Sequence, residues 1–307
     1  MRLQYFIARL VQGAFVLLAV CTITFGLLYL LPADPARIVA GRSATPETVE
    51  MVRKELGLDR PILERYGRYL WGLLHGDLGR SYVQRTRVTE LLSSRLIPTL
   101  QLALAGIVAE LLIGLPLGVL AALQVGKTWD RVVTIWAFAM VAAPQFALGL
   151  LLLYVFAYLW QVLPLGGYGT SSHLILPAVT LGLTGGGWYA RMMRSSLLDV
   201  LRSDYVRTAR AKGLPYRKVI GKHALKPALL PIAAMVGSDL GIYMGGVIVV
   251  ESVFGWPGIG QLTWQAIQLV DIPVILGTVI TTAVFVVLGN LVADLLYTLL
   301  DPRVSYD

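Results

Sequence analysis

Two Gly-Lys pairs are the first residues in this sequence that could carry chemistry. Gly126-Lys127-Thr128 could end a loop that cradles nucleotide phosphates, but such a loop needs a glycine five residues earlier, and Ala121 stands there. Gly221-Lys222 has Tyr216 at that glycine position and His223 where a hydroxyl residue is needed. Neither pair predicts ATP binding, so any ATP chemistry has to come from another chain.

The residues that could carry other catalytic chemistry are too far apart in the sequence to form a known catalytic motif. His75, His173 and His223 are far apart, and none belongs to a His-Glu-x-x-His sequence. There is no Gly-x-Ser-x-Gly, the sequence that places a nucleophilic serine on a sharp turn. We predict no catalytic residue, no metal site and no cofactor, and therefore a protein that is not an enzyme.

Three acids stand inside apolar stretches: Glu110, Asp239 and Asp294. A charge at the centre of a bilayer costs about 2.5–3.5 kcal/mol on insertion scales, so such residues usually face a cavity or a partner. The acids could line a polar pathway, or they could be structural acids satisfied by a neighbouring helix. Because no intramembrane Lys or Arg accompanies them, they do not define a proton or ion relay.

The composition explains why these stretches belong in a bilayer. The chain has 307 residues, of which 56% are hydrophobic and only 14% are charged, whereas soluble domains carry about 25% charged residues. A membrane-crossing helix needs about 20 mostly apolar residues. We predict an all-α protein with six transmembrane helices: Leu10–Leu31, Pro98–Leu123, Val132–Trp160, Leu174–Ser195, Ala228–Val250 and Val274–Leu300. Pro144 and Pro177 lie inside two of these spans, where helices tolerate proline.

The basic residues predict the orientation. The net charge is +8, and between the fourth and fifth spans lies a dense basic stretch: Arg191, Arg194, Arg202, Arg207, Arg210, Lys212, Arg217, Lys218, Lys222 and Lys226. Gln161–His173 and Glu251–Pro273 contain neither Lys nor Arg. Because positive loops stay in the cytoplasm, both termini and the basic loop are predicted to be cytoplasmic. We read this charge as a sign of topology, and we do not predict nucleic-acid binding.

The chain divides into a first span (1–31), an external segment (32–97), a five-helix core (98–300) that includes a cytoplasmic loop (196–227), and a cytoplasmic tail (301–307). The external segment contains several arginines, against the charge rule, but that rule weakens beyond about 60 residues. Thr45 and Pro46 predict a helix start, and Gly57 predicts its end. A second helix is expected after Asp59-Arg60-Pro61, with Ile62, Tyr66, Tyr69 and Leu73 on one stripe.

A short helix is predicted within the basic loop, around Asp204–Leu214. Gly213 would allow either a left-handed exit from this helix or a close approach by another backbone. Such a helix could fit a groove on a partner, or it could simply be a solvated loop that reports topology.

Glycines repeat every fourth residue in the fifth span, at Gly237, Gly241 and Gly245. They would place small residues on one helix face and allow a close helix contact. That contact could lie within the chain or at an interface with a second membrane subunit.

Residues Asp204–Pro231 resemble the EAA loop of ABC importer permeases, in the form seen in the dipeptide/oligopeptide family. The Glu-Ala-Ala of the general motif falls on Arg207-Thr208-Ala209, so its glutamate is absent, and its glycine falls on Gly213. Further similarities to the B-type subunit occur in the same order along the chain, at His223–Leu225, Leu229–Pro231, Leu30–Pro35, Leu56–Pro61, Gly76–Ser81 and Glu251–Gly260.

This resemblance implies a permease subunit that pairs with a homologous second permease, with two ATPase subunits and with an extracytoplasmic solute-binding protein. The basic-loop helix would lie in a cleft of the ATPase, with Tyr205, Arg207, Thr208, Ala209, Lys212, Gly213 and Leu214 as the coupling residues. The outer helices and the Glu251–Pro273 loop would receive the binding protein. The membrane would be a prokaryotic inner membrane.

The cargo implied by the resemblance is a di- or oligopeptide. Nickel, glutathione or another small peptide-like solute is an alternative, because related permeases share these motifs. An ion-coupled carrier that works alone is an alternative of a different class.

Overall fold

The computed structural model describes the backbone of residues 2–30, 34–41 and 43–300, and the side chains of residues 7–28, 34–41 and 43–292. This part of the chain is helical and contains no β-strand. The first half consists of α1 (Arg2–Leu30), α2 (Pro35–Ala40), α3 (Pro46–Glu55), α4 (Ile62–Leu74), α5 (Val88–Leu123), α6 (Thr128–Ala142) and α7 (Gln145–Leu152). The second half consists of α8 (Ser171–Leu201), α9 (Asp204–Ala211), α10 (Tyr216–Lys218), α11 (Leu225–Ala228), α12 (Leu230–Met244), α13 (Ile248–Phe254), α14 (Ile259–Gln268) and α15 (Ile272–Leu300). Two π-helical segments, Leu153–Leu159 and Val219–Ala224, continue α7 and α10.

Three described helices, α1, α5 and α15, are long and apolar enough to cross a membrane. Two bent pairs raise the number to five if each pair is one span: α6 with α7, and the α10–α11 segment with α12. Helix α8 has 31 residues, but its glycines, threonines and arginines make it less apolar than the other spans.

The third predicted span is not one straight helix. Helix α6 ends at Ala142, and α7 starts at Gln145 after a bend of 103°. Pro144 explains the break, because the residue before a proline is forced out of the helical region, and Ala143 has ψ 128°. Pro177, by contrast, lies inside α8 without ending it.

Two other predicted boundaries also move. Helix α5 begins at Val88, ahead of the predicted Pro98, so the helix is longer than the predicted span. The fifth predicted span ends at Met244, ahead of Val250, because the chain turns at Gly246, whose φ is +94°.

Among the short helices that follow α1, α3 is capped by its own chain and α4 packs on α1. The hydroxyl of Thr45 accepts a hydrogen bond from the Thr48 amide at 3.3 Å and so caps α3, as the sequence predicted. The end predicted at Gly57 is also confirmed, because this residue has φ +64°. In α4, the Tyr69 ring stacks on Phe25 of α1, and the Tyr66 ring contacts Phe25 at a tilt of 56°.

Outside these contacts, the predicted stripe of α4 is incomplete, because Ile62 is exposed. The segment between α4 and α5 is attached to the start of α15. The Asp271 carboxylate accepts hydrogen bonds from the Ser81 hydroxyl at 2.5 Å and the Tyr82 amide at 3.0 Å.

The glycine face of α12 packs against α15 within the chain. A Cβ on Gly241 would lie 2.9 Å from the Val286 Cα, and the Gly237 carbonyl lies beside Gly289. Gly245 lies next to Thr282. This face is therefore covered by the chain itself, and it does not offer a free surface to a second subunit.

Replacing Gly241 with leucine should separate α12 from α15, because the new side chain has no space. Overpacking typically costs about 1–3 kcal/mol, so we expect a lower melting temperature for the purified protein in detergent. Gly26→Leu is the matched control, since no atom lies within 4 Å of the position of its Cβ. Equal loss of stability in both variants would contradict the assignment.

Candidate functional site

Helix α9, in the basic loop, has one face anchored and one face exposed. Val206 and Ala209 are buried with Val219 in a small apolar cluster, and Leu214 packs against that cluster. On the opposite side, the exposed residues are Asp204, Tyr205, Arg207, Thr208, Arg210, Ala211, Lys212 and Gly213. The helix is therefore held firmly while its polar face remains open.

The predicted coupling residues divide between these two faces. Tyr205, Arg207, Thr208 and Lys212 are open to a partner, whereas Ala209 faces its own chain. Ala209 is thus placed to position the helix rather than to touch another protein. Its short side chain suits this role, because it lets α9 lie close to Val219.

Gly213 ends α9 in the left-handed region, with φ +73°. Its amide donates to the Arg210 carbonyl at 2.9 Å. No atom lies within 4 Å of the position where a Cβ would stand. The predicted left-handed exit is therefore found, and no backbone of the described residues approaches this glycine closely.

The apolar cluster under α9 continues into the transmembrane helices. Val200 and Leu201 at the end of α8 pack on it, and the Ser196 hydroxyl donates to the Ala228 carbonyl at 2.9 Å. Helix α9 is therefore joined to α8 on one side and, through the π-helical segment Val219–Ala224, to α12 on the other.

An ion pair that the sequence analysis missed lies close to this region. Arg194 of α8 donates to both oxygens of Asp130 in α6, at 2.6 and 2.9 Å. The Gly126 amide also donates to Asp130, at 2.9 Å. Arg194 was counted only as a topology charge, and nothing in the sequence connects it with an acid 64 residues away.

Two of the three predicted acids share a cavity of about 450 Å³ between α5, the α6–α7 bend, α8 and α12. Tyr243 donates a hydrogen bond to Glu110. Tyr189 donates one to Asp239 at 2.5 Å. The side chain of the third acid, Asp294, lies outside the described residues.

The tyrosines of this cavity were missed by sequence analysis, although Tyr243 stands one helical turn after Asp239. Glu110 is fully buried, and its Oε2 atom has no hydrogen-bond partner within the part of the chain that the structure describes. A Cβ on Gly185 would overlap the Glu110 carboxylate, so this glycine makes room for the acid. Both predicted readings remain open, since tyrosines partly satisfy the acids and the acids also line a cavity.

The Glu251–Gly260 loop is locked into the protein. The Trp256 indole donates to the Pro98 carbonyl at 2.9 Å, and the Ile259 amide donates to the Thr99 hydroxyl at 2.9 Å. Glu251 is buried and accepts from the Gln261 amide at 2.7 Å. Within Glu251–Pro273, the large apolar side chains left exposed are Trp264, Ile267 and Leu269.

Within the described residues, no group of three or more His, Cys, Asp or Glu side chains could hold a metal ion.

The apolar helices, the surface helix between α8 and α12, and the polar cavity define a membrane permease subunit. Two family models support this class. Residues 114–306 match the "binding-protein-dependent transport system inner membrane component", and residues 2–103 match the N-terminal part of the corresponding membrane component. The chain belongs to this family, and it is the multi-pass inner-membrane permease of an ABC importer.

Curated relatives match this chain over nearly its whole length. The chain is 40% identical over 304 residues to the "glutathione transport system permease protein GsiC" of Pectobacterium atrosepticum, covering 99% of both chains. It is 38% identical, with the same coverage, to the protein of that name from Escherichia coli strain K12.

Solved structures support the fold. A chain of the MetNI methionine ABC transporter, in an inward-facing crystal form, aligns with a TM-score of 0.58 at 21% identity. The alignment covers 69% of this chain and 96% of that chain. A second crystal form of the same transporter aligns with a TM-score of 0.55 at 18% identity.

Replacing Gly213 with valine should impair coupling of ATP hydrolysis to uptake, because a β-branched residue resists the left-handed conformation. Gly213→Asn is the matched control, since asparagine tolerates that conformation. We expect membrane insertion to be normal for both variants, and uptake by the reconstituted transporter to fall several-fold only for valine. Normal uptake and normal ATPase stimulation in Gly213→Val would refute this role.

Glu251 should make stability depend on pH. Burial raises the pKa of its carboxyl from 4.5 to about 7, although the Gln261 amide opposes this shift. The folded state then binds the proton more tightly than the unfolded state, so stability falls as pH rises between these values, by up to about 1.4 kcal/mol per pH unit. Relative to Glu251→Gln, the wild type should melt at a progressively lower temperature as pH rises through this range.

Glu90→Gln, at an exposed acid, is the control and should leave the pH profile of the wild type unchanged. If Glu251→Gln has the same pH profile as the wild type, Glu251 does not cause the effect.

Proposed function

We propose that this chain forms half of the translocation pathway of an ATP-driven importer, with a homologous permease as the other half. Six spans, with both termini in the cytoplasm, place α9 on the cytoplasmic side. Two ATPase subunits would dock there, and a solute-binding protein would dock on the opposite face. This orientation rests on the distribution of basic residues, and α8 would supply the sixth span.

The observation that supports this proposal best is the two-faced structure of α9. Its apolar face is fixed to the membrane helices by Val206 and Ala209, whereas Tyr205 and Arg207 are exposed. A rigid helix with an exposed polar face can transmit a force from a protein that closes around it. ATP-driven closure of the ATPase subunits would shift α8 and α12 together, as in rigid-body switching between two states.

The proposed cargo is a small peptide or peptide-like solute. The curated relatives are named for glutathione, which is itself a tripeptide, so glutathione and related short peptides are the first solutes to test. Nickel is less well supported, because the described residues hold no cluster of metal ligands.

The outer binding surface would consist of the exposed end of α14 and the external helices. Trp264, Ile267 and Leu269 are the exposed apolar side chains of the last outer loop. The motif Glu251–Gly260 would support this surface from beneath, because most of its residues are buried.

Replacing Tyr205 with alanine should weaken docking of the ATPase subunits. Tyr205 is 49% exposed on the open face of α9. Tyr216→Ala is the matched control, since Tyr216 is 56% exposed in the same loop but lies outside the predicted contact set. The measurement is the amount of ATPase subunit that co-purifies with the permease pair, together with vanadate-sensitive uptake of glutathione in proteoliposomes.

We expect both quantities to fall several-fold in Tyr205→Ala and to stay near wild type in Tyr216→Ala. Uptake by the permease alone, driven by an ion gradient and insensitive to vanadate, would support the independent carrier and overturn this proposal.

A further inference from the structure

The cavity between α5, α8 and α12 has an unbalanced charge composition. Its acidic members are Glu110 and Asp239, and no Lys, Arg or His lines it. The complete lining consists of Glu110, Val141, Ala143, Gln145, Thr184, Gly185, Trp188, Tyr189, Met235, Asp239 and Tyr243. A cation bound in the cavity would therefore meet two acids and no basic side chain of the lining.

Glu110 adds a specific hydrogen-bonding requirement. It is fully buried, Tyr243 satisfies Oε1, and Oε2 has no partner among the described residues. A buried carboxylate oxygen without a donor is unfavourable. Gly185 has no side chain, which leaves room for this carboxylate. The packing of the two helices therefore accommodates the acid without a steric clash.

The two tyrosines hold the carboxylates in place. Tyr189 donates to Asp239 Oδ2 at 2.5 Å, and Tyr243 holds Glu110. Each phenol hydrogen-bonds one oxygen of its carboxylate. Trp188 also lines the cavity, and the guanidinium of Arg191 lies 5.3 Å from the centroid of its ring.

We propose that this cavity binds the protonated amino group of the transported solute, with Glu110 Oε2 as the principal acceptor and Asp239 as the second carboxylate. An ammonium group carries three N–H donors and a positive charge, so it satisfies both the unpaired oxygen and the charge imbalance. A metal ion would need more ligands than these two acids provide. The inference rests on the proposed transport function and assigns a solute group to one place on the pathway.

The test uses the assembled transporter in lipid nanodiscs and a thiol placed on the cavity wall. In a Cys21→Ala background, which removes the one cysteine of the chain, Gln145→Cys is labelled with an uncharged maleimide. Val141→Cys provides a second reporter on the same wall. The probes are alanyl-alanine amide, which has one protonated amine, and N-acetyl-alanyl-alanine amide, which has none.

We expect the amine probe to slow labelling at both reporters and the acetylated probe to have little effect. Glu110→Gln should raise the concentration needed for half-protection on the order of tenfold, because a charge-assisted hydrogen bond is lost. Glutamine keeps an oxygen for Tyr243, so a purely structural role of Glu110 would leave protection unchanged. Glu90→Gln, at an exposed acid outside the cavity lining, should not alter protection.

Three outcomes would overturn the inference: equal protection by both probes, no protection by either, or protection that Glu110→Gln does not weaken. Equal protection by tetramethylammonium, which has no N–H donor, would overturn the role given to Glu110 Oε2. The co-purified ATPase is quantified in the same samples. Its absence would contradict the proposed importer, whereas its presence together with any of these outcomes would contradict amine recognition alone.

Discussion

Helices α5 and α8 approach so closely that a Cβ atom on Gly118 would lie 2.7 Å from the Met193 side chain, and one on Gly182 would lie 3.1 Å from the Ala109 backbone. In a bilayer, helices associate through close packing and polar contacts, because lipid removes most of the hydrophobic driving force. The glycine contact is therefore what fixes the relative position of these two helices. The cavity depends on it, since Glu110 comes from α5 and Gly185 from α8.

Helix α8 connects the acidic cavity with the cluster that anchors α9. Its middle lines the acidic cavity through Thr184 and Tyr189, and its end packs on the cluster that anchors α9. The Asp130–Arg194 pair holds α6 against α8 between these regions. A displacement of α9 during the proposed ATPase cycle would then be transmitted along one continuous helix to the cavity, with no need for a long chain of separate contacts.

Local features of the fold could be read from the sequence. The cap at Thr45 and the left-handed exits at Gly57 and Gly213 depend on a few adjacent residues, and all three are present. Proline was less predictable, because Pro144 breaks a helix and Pro177 does not. The two prolines differ because of their tertiary surroundings. The bend at Pro144 brings α7 close to Phe254, so that a Cβ atom built on Gly149 would lie 3.1 Å from the Phe254 ring. A straight helix would not make this contact.

The sequence by itself determined a helical membrane protein and the position of the short helix α9 in its basic loop, because hydrophobic length and helix ends are set by neighbouring residues. Only the tertiary structure decided which acids meet and what they meet. Glu110 reaches a tyrosine 133 residues away, and Asp239 reaches one 50 residues away. The tertiary structure also showed that the glycines of α12 pack against α15 of the same chain. The physical reason is that side chains distant in sequence become neighbours only when the helices pack, and spacing along one chain carries no information about that packing.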